Sequence, residues 1–286
     1  MQSTGERLIP GLKNFSELEH LNRYYFVVNQ IELKDKIVLD IASGEGYGSN
    51  ILAKHALQVT GVDISLEAIE YATDKYRTKN LKFVHGDVTK IPMKDNSVDV
   101  VVSFETIEHH DKHFEMLQEI KRILRIDGVL IISSPDKYYY SDIPNYKNEF
   151  HVKELYNAEF KELISRNFIK TFFFNQRTFG GSIIALDENH NQYNPPLVVE
   201  QSGESNSFLP TYNIAIATDN LDYGIINQIV LYKEQDQVIT KSDVDNAVED
   251  ALYHYELKLK KTKTWRIGHL LIFPFKLLKK IVEKQN

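Results

Sequence analysis

Residues 36–48 read Lys36-Ile37-Val38-Leu39-Asp40-Ile41-Ala42-Ser43-Gly44-Glu45-Gly46-Tyr47-Gly48. An apolar run ends in an acid and then meets three glycines at alternate positions. Near-continuous Val/Ile/Leu runs are what a parallel strand covered on both faces requires. Glycines let the backbone turn tightly and approach a ligand closely. A helix opening after such a turn aims its free amides at that ligand. Many nucleotide sites share such a turn, and the spacing here is G-x-G-x-G rather than the G-x-G-x-x-G of dinucleotide folds.

Working outward, the same alternation of run and helix repeats to residue 134. Gln58–Val62, Leu81–His85, Val98–Ser103 and Val129–Ser134 read as buried strands. Between them Leu66, Ile69, Ala72 and Tyr76 share one helical face, as do Phe114, Leu117, Ile120, Ile123 and Leu124. Strands alternating with helices imply βαβ units and an open α/β sheet. Right-handed crossovers put the strand ends along one edge, where ligands bind. Asp63 stands 19 residues after Gly44 at the second strand tip, where a carboxylate can accept both hydroxyls of a ribose. Asp87 ends the third strand, and Ser103-Phe104-Glu105-Thr106-Ile107-Glu108-His109-His110 follows the fourth.

Taken in order, VLDIASGEGYGS, GVDIS, HGDVTKIPMKDNSVDVVVSFETIEHH and LQEIKRILRIDGVLIISSP make residues 36–134 resemble a class I S-adenosylmethionine-dependent methyltransferase. The resemblance implies a Rossmann-like seven-stranded sheet with helices on both faces. Phe168–Gln176 and Tyr212–Thr218 would supply its terminal antiparallel pair. It implies S-adenosylmethionine as cofactor, with S-adenosylhomocysteine as product. Ala42, Ser43, Gly44 and Gly46 would lie against the methionine part, and Asp63 would take the ribose with Ile64 beside the adenine. Asp87 would accept from the adenine amino group, with Val88 alongside. Phe104 and Glu105 would face the reactive end. Ala42 departs from the family's usual glycine, which implies a slight narrowing. Asp40 carries two readings, fixing the turn or touching the cofactor.

The flanks resemble methyltransferases of sugars and surface polysaccharides. They carry Gly5-Glu6-Arg7-Leu8-Ile9-Pro10, His20-Leu21-Asn22-Arg23-Tyr24, Phe150-His151-Val152-Lys153-Glu154-Leu155, and Gln176-Arg177 followed by Gly181-Ser182. In such proteins an Arg on the helix before the first strand holds the cofactor carboxylate, and Arg23 is the matching position. Arg7, Tyr24 and the excursion 187–210 would close over the site. The implied reaction is O-methylation of a sugar or glycan hydroxyl, in polysaccharide or nucleotide-sugar metabolism. A histidine titrating near neutral pH suits the hydroxyl's proton, so His109 and His151 are the candidate bases. Glu105, Glu108 and His109 could ligate a divalent ion, but helical spacing alone produces such clusters, and no metal is assigned. Asn194-Pro195-Pro196-Leu197 sits too late and ends in Leu, so it reads as an extended turn. A small aromatic or quinone-like acceptor, or a non-catalytic cofactor-binding scaffold, are the competing functions.

Composition narrows the rest. The chain has 286 residues, 42% of them hydrophobic and 11% aromatic, enough for a large core. The absence of cysteine excludes disulfides, thiol nucleophiles and iron–sulfur clusters. Met1–Pro10 lacks a signal-peptide apolar stretch and no apolar run reaches 18 residues, so a cytoplasmic protein without a spanning helix is expected. The net charge of −6 hides a basic end, with +4 from Lys241 onward. An acidic body is a poor nucleic-acid binder. Three parts are expected: an N-terminal helical lid segment 1–35, a methyltransferase domain 36–218 with its insertion at 187–210, and a helical basic tail 219–286. Within the tail, 242–261 carries an apolar helix stripe suited to the body or to a homo-oligomer contact. Residues 265–284 combine Trp265 with apolar and basic residues, which suits the inner face of a membrane or an oligomer interface.

Overall fold

A computed structural model of the chain describes residues 15–178, 181–187, 211–226 and 229–233. Arg7, the excursion 188–210 with its Asn-Pro-Pro segment, the stripe 242–261 and the tail 265–284 lie outside the described residues. The described chain forms one compact unit. Its elements run α1 (Phe15–Gln30), β1 (Ile37–Ile41), α2 (Tyr47–Ala53), β2 (Gln58–Asp63), α3 (Leu66–Lys75), β3 (Leu81–His85) and β4 (Val98–Ser103). They continue with α4 (His113–Ile123), β5 (Leu124–Pro135), α5 (Asn157–Asn167), β6 (Lys170–Thr178), β7 (Gly181–Leu186), β8 (Tyr212–Thr218) and β9 (Ile229–Lys233).

The strands make one sheet in the order β3-β2-β1-β4-β5-β8-β6-β7-β9. The first five pair in parallel, with Val38 beside Val59 on one side and Val100 on the other. The order reverses between β1 and β4, and loops from adjacent strand ends diverge there to leave a crevice. β8 then inserts antiparallel between β5 and β6, placing Ile216 beside Ile131 and Phe172. The Val/Ile/Leu runs are buried on both faces, as the sequence reading requires. Val38, Val59, Val100, Val102 and Ile131 face one core, and Leu39, Ile41, Val101, Leu130 and Ile132 face the other.

The seven strands implied by the sequence are present, and β7 and β9 extend the sheet beyond them. β7 folds back on β6 as a hairpin with Arg177 beside Ile183, and β9 pairs with its outer edge. The sheet therefore runs past residue 218, which sequence reading had taken as the end of the domain. α1 also belongs to the core. Phe26 and Val27 are fully buried, and Phe26 meets the Phe174 ring edge-on at 4.9 Å. α1 packs on β6, β7 and β9, so its apolar side needs those added strands as a floor.

Two helical faces differ from expectation. α4 starts at His113 and buries His113, Met116, Leu117, Ile120 and Ile123, leaving Phe114 on the outside. In α3 Ala68 joins Ile69 and Ala72 inside, while Leu66 in the first turn is exposed. α5 begins at Asn157 because Glu159 turns back to accept the Tyr156 N–H at 3.0 Å and fixes the start there.

Candidate active site

The C-terminal ends of β1, β2, β3 and β4 open on a cavity of about 750 Å³, within the usual range for a small-molecule site. Its wall includes Ala42, Ser43, Gly44, Asp63, Ile64, Asp87, Val88, Phe104 and Glu105 from the candidate set. It also includes His109 and His151. Arg23, Asp40 and Gly46 do not line it.

The turn after β1 explains that division. Ala42, Gly44 and Gly46 all have left-handed φ, at 54°, 52° and 80°. The Gly46 amide closes the turn on Ser43 O at 2.9 Å. A Cβ built on Gly44 would meet nothing within 4 Å. One built on Gly46 would sit 2.5 Å from the Phe83 ring and 2.8 Å from the Ala72 methyl. Gly44 is thus the open cradle, whereas Gly46 is a packing glycine turned inward.

Asp40 lies under the turn, fully buried. It accepts the Ser49 hydroxyl at 2.6 Å and the Tyr24 hydroxyl at 3.2 and 3.3 Å. Burial, with a smaller push from Asp63, raises its pKa to about 7 against the pull of those two bonds. Its observed contacts tie β1 to α1 and α2, which favours the turn-fixing reading. Tyr24 in turn packs edge-on against Tyr47 and Phe104, with centroids at 5.6 and 5.2 Å.

Asp63 holds the neighbouring loops with its two oxygens. One accepts the Gly44 N–H at 2.9 Å and the other the Ser65 N–H at 2.8 Å. Each oxygen keeps a second lone pair for a hydroxyl donor. Ser65 caps α3 by accepting from Ala68 N. Asp87 makes an Asx turn, with Oδ1 accepting both the amide and hydroxyl of Thr89 at 2.7 Å. Those bonds hold its carboxyl below the usual carboxylate range.

Arg23 is wholly buried behind Tyr212 and Glu105, both on the cavity wall. Its Nε donates to Gln176 Oε1 at 2.7 Å, its guanidinium lies 4.3 Å from the Tyr212 ring centre, and Nη1 is 3.7 Å from Glu105 Oε1. Nη1 and Nη2 have no hydrogen-bond acceptor among the described residues. Gln176 is itself held by Ser182 Oγ and Glu19 O. Ser182 also binds Asn22. The Gln176 and Ser182 segments that stood out in the sequence are therefore the supports of Arg23. Glu105 is fastened elsewhere: at φ 47° it accepts the Ser133 hydroxyl at 2.6 Å.

The histidines form a separate corner of the wall. The carbonyl of Glu108 accepts the Val152 and Lys153 amides at 2.8 and 3.0 Å, pinning the segment after β4 to the segment before α5. His109 and His151 then meet edge-on with centroids 5.1 Å apart. His109 Nδ1 lies 3.1 Å from Phe150 O, and His151 Nδ1 lies 2.5 Å from Glu154 Oε1. Both nitrogens are the protonated ones in this arrangement. Asn148 Nδ2 donates to His151 Nε2 at 3.1 Å, and the Tyr140 ring stacks on His151 at 5.3 Å. The sequence assigns no role to Asn148 or Glu154, although Glu154 lies in the flank segment Phe150–Leu155 that resembles sugar methyltransferases.

A sheet whose first five strands run parallel in this order, with a glycine turn at the switch point, defines the Rossmann-like methyltransferase fold. Solved structures share it. A methyltransferase from Thermotoga maritima superimposes with a TM-score of 0.51 at 17% identity, over 72% of this chain and 92% of that one. One from Archaeoglobus fulgidus gives 0.51 at 18%, over 71% and 94%.

Residues 39–132 match the family described as "Methyltransferase domain". A probable S-adenosylmethionine-dependent methyltransferase of Mycolicibacterium smegmatis is 36% identical over 166 residues, 56% of this chain and 62% of that protein. A Mycobacterium tuberculosis protein of the same description is 34% identical, over 56% and 58%. A phthiotriol/phenolphthiotriol dimycocerosates methyltransferase of Mycobacterium ulcerans is 31% identical over 115 residues, 40% of this chain and 42% of that one. The chain thus has the methyltransferase fold, and its residues 39–132 are similar to the methyltransferase-domain family. It spans about three fifths of the length of the curated relatives that match it over 166 residues.

The residues present fit that cofactor. The open space at Gly44 admits a ligand, the buried guanidinium of Arg23 has two nitrogens to offer a carboxylate, and Asp63 keeps lone pairs on the wall. No described helix is long and apolar enough to cross a membrane.

Proposed function

We propose that the protein is a methyltransferase that methylates a hydroxyl oxygen of a sugar or glycan. The observation that carries this reading is the His109–His151 corner, which places two imidazoles, one backed by Glu154, on the wall of the cofactor-type cavity. Transfer to oxygen, unlike transfer to an amine lone pair, requires a hydroxyl proton to be removed. S-adenosylmethionine, when bound, supplies a methyl group already activated as a sulfonium. The chain's own tasks are then to align the acceptor, exclude water and take up the proton at this corner.

In this reading Ala42, Ser43 and Gly44 form the cradle for the methionine part, with Arg23 behind it for the carboxylate. Asp63 and Ile64 hold the ribose and the adenine face, and Asp87 with Val88 hold the adenine edge. Phe104 and Glu105 stand near the reactive end. Asp40 and Gly46 act through the turn they support. Residues 265–284 keep the enzyme at a membrane surface where glycan is assembled, and 242–261 joins two copies.

One observation favours a second acceptor class. The segment leading to His151 exposes Tyr138, Ile143, Tyr146 and Phe150. An aromatic, quinone-like or otherwise apolar alcohol would suit that face. Incubation with methyl-labelled S-adenosylmethionine and cell extract separates the readings. Label is expected in nucleotide sugars or in glycan, as a methyl ether. Label in sugar-free lipid or aromatic compounds would overturn the sugar reading. No transfer at all, with cofactor binding intact, would favour a scaffold. A chain trimmed near residue 240 should retain turnover on a soluble acceptor if the protein is an enzyme.

A further inference from the structure

The geometry points to a divalent transition-metal site formed by Glu108, His109 and His151, at which the acceptor hydroxyl binds. The inference rests on the function proposed above and deepens it, giving the proton-removing corner a cation as its agent. The ligand atoms of these three residues all lie within 4.8 Å of one another. Donors sharing one ion at 2.0–2.2 Å stand about 3 to 4 Å apart, so side-chain movements of roughly 1 Å close the triad. His109 Nε2 and Glu108 Oε1 are already 3.9 Å apart.

Three features separate this cluster from a chance surface grouping. Glu108 has only 1% of its surface exposed, so its carboxylate is not a solvated surface acid. Its backbone carbonyl, through Val152 and Lys153, fixes the distance between the two segments that carry the donors. Each histidine also has its Nδ1 against an acceptor, Phe150 O for His109 and Glu154 Oε1 for His151. Metal-bound histidines have this support almost invariably, because it sets the tautomer that leaves Nε2 unprotonated. At His151 the Nε2 lone pair now receives the Asn148 amide, which a cation would displace.

Two imidazoles and one carboxylate suit Mn²⁺, Fe²⁺, Co²⁺, Ni²⁺ or Zn²⁺ better than Mg²⁺ or Ca²⁺, which prefer all-oxygen shells. Three protein ligands leave positions open toward the cavity. A hydroxyl bound there becomes more acidic. Its O–H bond breaks with the proton passing to water at the cavity mouth. The oxygen keeps the electron pair and forms the new C–O bond as the sulfonium C–S bond breaks onto sulfur. The imidazoles then serve as ligands, and Glu154 is a positioning residue.

The test uses the full chain, stripped with a chelator and titrated with Mn²⁺ alone and with Zn²⁺ alone. Binding is followed by loss of the free-Mn²⁺ resonance signal and by calorimetry. One ion per chain is expected, with nitrogen coupling from imidazole in the Mn²⁺ spectrum. Glu108→Gln and His151→Ala should each weaken binding at least about 10-fold, and Glu154→Gln by about 10-fold. Retained S-adenosylhomocysteine binding shows that a variant is folded. Absence of saturable binding by wild type up to about 1 mM would overturn the site. So would equal binding by the Glu108→Gln and His151→Ala proteins. Chelated protein that methylates at the full rate overturns the cation's part and leaves methyl transfer standing. A saturable site lost in Glu108→Gln, in a protein that transfers no methyl to any acceptor, supports the cation site and removes the proposed function instead.

Discussion

Gly44 and Gly46 sit two residues apart in one turn, both with left-handed φ, yet alanine at each should fail differently. A non-glycine residue in that region costs about 1–2 kcal/mol, and Ala42 at φ 54° shows that the turn tolerates one. At Gly44 that strain is the whole cost, because the new Cβ would meet no atom within 4 Å. At Gly46 the Cβ would be forced to 2.5 Å from Phe83 and 2.8 Å from Ala72, which adds about 1–3 kcal/mol of overpacking. Gly46→Ala therefore loses about 2–5 kcal/mol in all. At about 2–4 °C per kcal/mol this lowers the melting temperature by roughly 4–20 °C. Gly44→Ala should melt within about 2–8 °C of wild type on the same scale but lose S-adenosylhomocysteine affinity, since its methyl enters the cavity. Scanning calorimetry and titration calorimetry on both proteins measure the two effects. A Gly46→Ala protein as stable as wild type would refute the packing argument. A Gly44→Ala protein that binds as tightly as wild type would refute the cradle.

Other substitutions probe the remaining supports. Asp63→Asn replaces one of two charge-assisted acceptors by an amide that faces a backbone N–H, costing about 2–4 kcal/mol of stability along with cofactor binding; an unchanged titration would remove Asp63 from the ribose site. Asp40 has a folded pKa near 7, above the ordinary carboxylate value, so the folded state holds its proton longer than the unfolded chain. That contribution is complete below about pH 4 and is lost as pH rises toward and through 7, on the order of 4 kcal/mol. Asp40→Asn should remove this part of the slope, and parallel melting curves for the two proteins from pH 4 to 8 would contradict it. Arg23→Met removes the guanidinium proposed to meet the cofactor carboxylate and should weaken S-adenosylhomocysteine binding about 10–100-fold, a bond to a charged group being worth about 1.5–3 kcal/mol. Equal affinity would show that Nη1 and Nη2 of Arg23, which have no hydrogen-bond acceptor among the described residues, do not meet the cofactor carboxylate.

The sequence by itself determined the parallel half of the sheet and the turn at its edge. Both depend on local rules: uninterrupted Val/Ile/Leu runs for strands covered twice, helical periods between them, and glycines where φ turns positive. That is why β1 to β5 and the positions of Gly44, Asp63 and Asp87 were legible, whereas the antiparallel pairing of β6 with β8 was implied only by the family resemblance. The roles within the turn were not. Gly44 and Gly46 look alike in one dimension, and only the approach of Phe83 and Ala72 makes one a cradle and the other a packing contact. Asp40 is a strand-end acid like Asp63, but Tyr24 and Ser49 close over it and take it out of the cavity. Strands β7 and β9 escaped notice because what places them is long-range, their antiparallel pairing and α1 packed across them. The histidine corner is also a tertiary product. Glu108 and His109 lie about 40 residues from His151 in sequence, and the Glu108 carbonyl joins the two segments through Val152 and Lys153. Local patterns encode elements, but which side chains share a wall is set by long-range pairing, and no residue carries that pairing in its own sequence neighbourhood.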